Sequence, residues 1–229
     1  MTAVPIARLD FMTRAVNLLL TACFVIFVAF PAVVLDDHHF PDTVLLANLG
    51  WRGVNDFLPN IDFPHFYGGV TAWFMTTAFK LFGVDYRSIN FAFLMLYGVS
   101  VACLLGLAFR RLSMTACSML VVLAAALILS LAPIEEGFVV WPRIAHSFVY
   151  NHVAMVLAMG LTVYAAKENT PAKLEAASSV LAGFVVCLLV LLKTTFGVFV
   201  PFLGLALLIQ SRLRSCLFLT LGAALGILV

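Results

Sequence analysis

Seven stretches of this chain are almost unbroken apolar runs: 15–35, 88–109, 113–132, 146–166, 176–193, 195–211 and 215–229. A helix needs about 20 such residues to cross a hydrocarbon core of about 30 Å. Composition points the same way: 64% of residues are hydrophobic and 10% are charged, whereas a soluble domain carries about a quarter charged residues and under half apolar ones. The expected fold is all-α, a polytopic transmembrane helix bundle of about seven spans. The net charge of +2 is too small to suggest a nucleic-acid partner, and none is expected. Cys23, Cys103, Cys117, Cys187 and Cys216 sit in or beside apolar runs with no CxxC spacing. They read as small packing residues, with neither a disulfide framework nor a metal site.

The first run follows Arg8 and Arg14 and resembles a secretory signal. It is longer than the ~7–15 residues of a signal core and no A-x-A site follows it, so it is read as a retained first span. The chain ends inside another apolar run, GAALGILV. Residues 1–229 are therefore expected to form a single transmembrane domain, complete or the N-terminal part of a longer protein.

One segment, 69–83, is either a short span or a helix lying in the interface. Positive charges decide between the two. If 69–83 does not cross and the N-terminus is inside, eight cations face the cytoplasm: Arg8, Arg14, Arg110, Arg111, Lys167, Lys173, Arg212 and Arg214. Arg52, Lys80, Arg87, Arg143 and Lys193 face outside. If it crosses, the pair Arg110–Arg111 and the four cations after it move outside, against the positive-inside rule. Fifteen residues also make a helix of only about 22 Å. Its apolar stripe (Val70, Trp73, Phe74, Ala78, Leu81, Phe82) and its polar Thr76, Thr77 and Lys80 suit an interfacial helix.

The long first external loop then spans 36–87, with interfacial helices in it. A loop of that length is expected to hold structure or function. A short helix is expected over Thr43–Asn48, capped by Asp42 and stopped by Gly50, with Leu45, Leu46 and Leu49 pressed into the interface. The loop opens on the densest polar cluster in the chain: Asp36, Asp37, His38 and His39, followed by Asp42, Asp56, Asp62 and His65. Carboxylates at the end of a span need water or a partner. Asp36 and Asp37 read either as a polar border or as a general base held at the surface. His38, His39, His65, Asp37 and Asp62 are suitable ligand types for Zn²⁺ or Mn²⁺. Their spacing matches no metal motif, so no metal site is predicted and the cofactor is left unknown.

The external cations form a second constellation. Each reads singly as a snorkelling anchor. Together, Arg52, Arg87, Arg143 and Lys193 suit a lipid-linked phosphate, arginine as a fork and lysine as a point charge. A third constellation opens the run at 146: His146 and Tyr150 share a helix face, with Asn151 and His152 after them. Such groups either line a substrate path or bond between helices. The chain has no GxGxxG and no P-loop, and no span carries a run of charges.

These pieces, in this order, resemble the GT-C superfamily of polyprenyl-phosphate-sugar-dependent membrane glycosyltransferases, in its bacterial lipid A and protein-mannosyl branches. The resemblance covers roughly residues 15–200. It rests on a first span ending in the acidic pair Asp36–Asp37, the passage GVNDFLPNIDFPHFYGG, the helix end AFKLFG, Arg87 opening the next span in DYRSINFAF, and the KTTFG turn at 193–197. The K-P-P motif of those branches is absent, and two histidines follow the acidic pair.

The resemblance implies inverting sugar transfer from a polyprenyl-phosphate donor to a lipid or glycan hydroxyl on the periplasmic side of the inner (plasma) membrane. Asp37 or Asp36 is then the base. Arg87, Lys193, Arg143 and Arg52 hold the donor phosphate. His38, His39, Asp62, His65, His146 and Tyr150 line the substrate path. Two other classes compete with it. One is a transporter or flippase for a lipid-linked or anionic solute, and the other is a non-catalytic or truncated membrane subunit.

Overall fold

The computed structural model describes residues 40–59, 61–63, 68–109, 111–129, 146–166, 172–210 and 212–228. Within them the chain is all-helical, with a single isolated bridge between Pro59 and Phe63. The helices are α1 (Phe40–Val54), α2 (Gly69–Phe82), α3 (Tyr86–Ala108), α4 (Met114–Leu129), α5 (His146–Ala165), α6 (Ala172–Leu192), α7 (Phe199–Ile209) and α8 (Leu213–Leu228). A 3₁₀ turn, Thr194–Val198, joins α6 to α7. The apolar runs from residue 88 onward coincide with α3 to α8. The first run, 15–35, lies outside the described residues.

Among the described residues, two helices, Arg87–Ala108 and Leu174–Leu192, are long and apolar enough to cross a membrane. Apolar helices 114–125, 195–209 and 213–227 are shorter. The exterior is greasy as well as the core. On α8, Leu213, Leu217, Leu221 and Leu225 recur every fourth residue and all are exposed, so they form one outward stripe. Phe202, Leu205, Leu208 and Ile209 do the same on α7. Soluble monomers rarely expose contiguous apolar surface of this extent.

Polar contacts fix which helix ends lie together. At one end Arg111, just after α3, pairs with Glu175 in the first turn of α6 at 3.0 Å. Arg212 and Ser215, at the start of α8, bond the same carboxylate. Gln210, after α7, donates to Ala165 O at the end of α5, 2.7 Å away. We call this the basic end. At the opposite end, the loop end, Gly68 N–H donates to Leu192 O, the close of α6, at 3.0 Å. Lys193 there lies over the ring of Tyr150 in the first turns of α5.

This connectivity determines how α2 runs. Its start is tied to the loop end through Gly68. Its finish passes through residues 83–85 into α3, whose 23 residues extend about 34 Å to the basic end. Both ends of α2 therefore lie at the loop end. Gly83 at φ +91° turns the chain, and Asp85 caps α3 by accepting from Arg87 N–H at 3.1 Å.

α1 differs from expectation. It runs from Phe40 to Val54, so Asp42 is inside the helix rather than its cap and Gly50 does not stop it. The glycines serve close crossing instead. A Cβ on Gly50 would meet the Phe79 ring at 3.2 Å, and one on Gly53 would lie 1.9 Å from Thr76 Oγ1. Leu46 and Leu49 are buried against the protein rather than pressed outward. The reason is that α2 has two apolar faces. Phe74, Met75, Ala78 and Phe79 face the core, while Trp73, Leu81 and Phe82 remain exposed.

The tightest crossing is between α6 and α8, which run parallel. A Cβ on Gly183 would lie 1.9 Å from Leu219 O, and one on Gly222 would lie 1.9 Å from Val180 O. Gly226 faces Cys187 in the same way, at 2.8 Å. Gly222 and Gly226 form a G-x-x-x-G pair, the spacing that lets two backbones approach in an apolar medium.

Candidate functional site

The loop end carries a groove of about 460 Å³ between the α1–α2 connection and α2. Gly53, Asp56, Phe57, Leu58 and Pro59 form one wall, and Ala72, Trp73, Thr76 and Lys80 the other. Its size is within the range of small-molecule sites. Asp56 stands at φ +63°, a left-handed conformation that Asp tolerates better than most residues. This turns its carboxylate toward Lys80 Nζ, 4.0 Å away. Both groups are largely exposed, at 92% and 55%, so water screens the pair and it contributes little to stability. Both remain available to hydrogen-bond a ligand. Trp73 offers an aromatic face about half exposed.

Of the expected phosphate ligands, Arg52 ends α1. Its Nε donates to Asn48 Oδ1 at 3.1 Å and its guanidinium covers the Phe63 ring at 4.5 Å. It therefore braces the loop. Lys193 and Tyr150 are brought together, with the ammonium 5.0 Å from the ring centre, a cation–π contact. Arg87 is exposed in the first turn of α3, at the same end. The described groove is lined by none of these three. Asp62 is exposed and accepts from Leu58 N–H at 2.6 Å, closing its own turn. Asp36, Asp37, His38, His39, His65 and Arg143 lie outside the described residues. His146 is the first residue of α5.

Two groups deeper in the bundle are unsatisfied. Tyr97 Oη on α3 and His152 Nδ1 on α5 are buried and have no hydrogen-bond partner. The two helices run parallel with Gly160 against Leu104, a register that puts Tyr97 and His152 at about the same level. Buried polar atoms are normally partnered; Thr71 Oγ1 and Ser118 Oγ are also buried without one.

The basic end holds the densest polar network among the described residues. Glu175 receives Arg111, Arg212 and Ser215. Both guanidiniums lie over the Tyr164 ring, at 5.0 and 4.8 Å. Tyr164 and Ser179 share a 2.8 Å hydrogen bond. Sequence reasoning missed this cluster because its members come from three separate connections. The available signal was Glu175, an acidic residue on the side where cations concentrate. Among the described residues no group of three or more His, Cys, Asp or Glu could hold a metal ion.

No family model, curated protein or solved structure matches this chain.

Proposed function

We propose that this chain is a multi-pass membrane glycosyltransferase that moves a sugar from a polyprenyl-phosphate donor to a hydroxyl acceptor at the loop end. The observation that carries this reading is the folded cap there. Both ends of α2 return to the loop end, and together with α1 it builds a groove holding a carboxylate, an ammonium and an exposed tryptophan. In this proposal the bundle sits in the inner membrane with about seven spans. The N-terminus and the basic end face the cytoplasm, and α1 and α2 lie in the outer interface. The apolar exterior of α7 and α8 supports the bilayer setting.

In the proposed reaction, Asp37 or Asp36 takes the proton from the acceptor hydroxyl. The oxygen attacks the anomeric carbon from the face opposite the phosphate. The carbon–oxygen bond to phosphate breaks, and its electron pair leaves with the lipid phosphate. Lys193, Arg87, Arg52 and Arg143 are the cations available to stabilise that charge. The groove at Asp56, Trp73 and Lys80 receives the acceptor. The donor must be lipid-borne because the site faces away from the cytoplasm, where nucleotide sugars are confined.

The test is sugar transfer by the full chain in membrane vesicles supplied with polyprenyl-phosphate sugars and a hydroxyl acceptor. The expected product has inverted anomeric configuration. Movement of the lipid-linked sugar across the bilayer without transfer supports the second reading, a flippase or transporter. The buried unpaired Tyr97 and His152 favour that alternative, since polar groups inside a bundle mark solute paths.

Topology is tested separately. A cysteine introduced at Asp85 is expected to react from outside with an impermeant maleimide, and one at Ser113 only after permeabilisation. Both positions are exposed, so failure to label does not arise from burial. Equal labelling of the two in intact cells overturns the proposed orientation.

A further inference from the structure

We infer that the basic end is a binding site for the phosphate of an anionic lipid headgroup. The inference rests on the bilayer setting proposed above and not on sugar transfer. Two guanidiniums, Arg111 and Arg212, converge on one carboxylate, Glu175. Their side chains are only 3% and 16% exposed, and Glu175 is 21% exposed. Among the described residues one positive charge is thus left without a counter-charge in a poorly solvated place, where an uncompensated ion is costly.

A second observation is independent of that count. Arg111 Nη1 is buried and makes no hydrogen bond, although its sister Nη2 holds Glu175 at 3.0 Å. Arg212 has used its donors differently, on Tyr164 O and Gln210 Oε1, both at 3.2 Å, and on Glu175. The cluster has spare positive charge and a spare donor, and the fork geometry of arginine suits phosphate oxygens. Arg214, two residues on, is exposed and adds to the local field.

The surroundings identify the source of the phosphate. The outward stripe on α8 starts at Leu213, immediately after Arg212, and continues through Leu217 and Leu221. A phosphate at Arg212 therefore has an apolar track beside it for an acyl chain, which a free anion does not need. Basic pockets between spans on the cytoplasmic side are recognised sites for anionic headgroups. Arg212 meets the headgroup first, and Arg111 adds its charge and its unpaired Nη1 from behind.

The test uses the full chain purified in a neutral detergent. Phosphatidylglycerol, phosphatidylcholine and sodium phosphate are titrated separately. Retained lipid is read by native mass spectrometry and stability by the thermal midpoint. Phosphatidylglycerol is expected to be retained and to raise the midpoint, less so as salt is added. Arg212→Gln is expected to weaken it roughly fivefold, the value of one arginine near an anionic surface. Glu175→Gln removes the competing carboxylate and is expected to tighten it, while lowering the midpoint without lipid. A cluster that only clamps helix ends gives the opposite result for Glu175→Gln, unchanged or weaker lipid binding. Equal retention of phosphatidylcholine, a full midpoint shift with sodium phosphate alone, or salt-independent binding by the unmodified chain each overturn the inference. The salt titration decides the matter even if a variant does not fold.

Discussion

Replacing Asp37 with asparagine is expected to cut sugar transfer by roughly 10²–10⁴-fold, the usual loss when a general base is removed. Asparagine keeps the shape and part of the hydrogen bonding but accepts no proton. The residue follows the apolar run 15–35 and opens the loop that leads into α1. Asp37 is favoured as the base because it lies further from the apolar run than Asp36 and nearer the loop. Asp36→Asn is therefore expected to have the smaller effect. Asp62 provides a contrast. Its carboxylate already closes a turn by accepting from Leu58 N–H, and an amide oxygen accepts equally well, so Asp62→Asn should leave most activity intact. The measurement is initial transfer rate at matched membrane levels. If both Asp36→Asn and Asp37→Asn transfer at near wild-type rates, the pair is a polar border and the proposed mechanism fails.

Gly222→Ala is expected to destabilise the fold by about 1–3 kcal/mol, the range for forcing extra atoms into a packed core. The added methyl would lie 1.9 Å from Val180 O and 2.7 Å from its carbonyl carbon. Backbone atoms cannot rotate away as a side chain does, so α6 and α8 must separate. Separation also pulls Ser215 and Arg212 from Glu175, since all three lie at the start of these helices. Gly204→Ala is the control. Nothing lies within 4 Å of a Cβ there, and alanine in a helix interior is favoured over glycine by about 0.5–1 kcal/mol. The thermal midpoint in detergent should fall for Gly222→Ala and hold or rise for Gly204→Ala. Equal midpoints for the two would mean that α6 and α8 do not pack as described.

Much of the helical plan was legible in the sequence because apolar run length and the side on which cations fall are physical constraints. Arg110–Arg111, Lys167, Lys173, Arg212 and Arg214 favour an arrangement in which 69–83 does not cross. What the chain order could not show was contact between distant segments. Gly50 reads as a stop because glycine often ends helices, whereas here the Phe79 ring needs the space, as Thr76 does at Gly53. Gly222 and Gly226 carried a recognisable spacing that was overlooked in an apolar run. In the sequence Lys80 reads as an external cation on the polar face of its helix and Asp56 as part of an acidic stretch. Their meeting across the groove depends on the left-handed backbone at Asp56, which no local pattern announces.

The bond from Gly68 N–H to Leu192 O joins positions more than a hundred residues apart. It is also intolerant of substitution, since a Cβ at Gly68 would lie 1.6 Å from Leu191 O. The loop end therefore cannot close until α6 has been synthesised and has taken its place. The groove walls come from residues 53–80 alone and can form earlier, but their tie to the bundle is made only once α6 is in place. Contacts of such long sequence separation form late. The tie that fixes the cap to the bundle is thus among the later contacts to form.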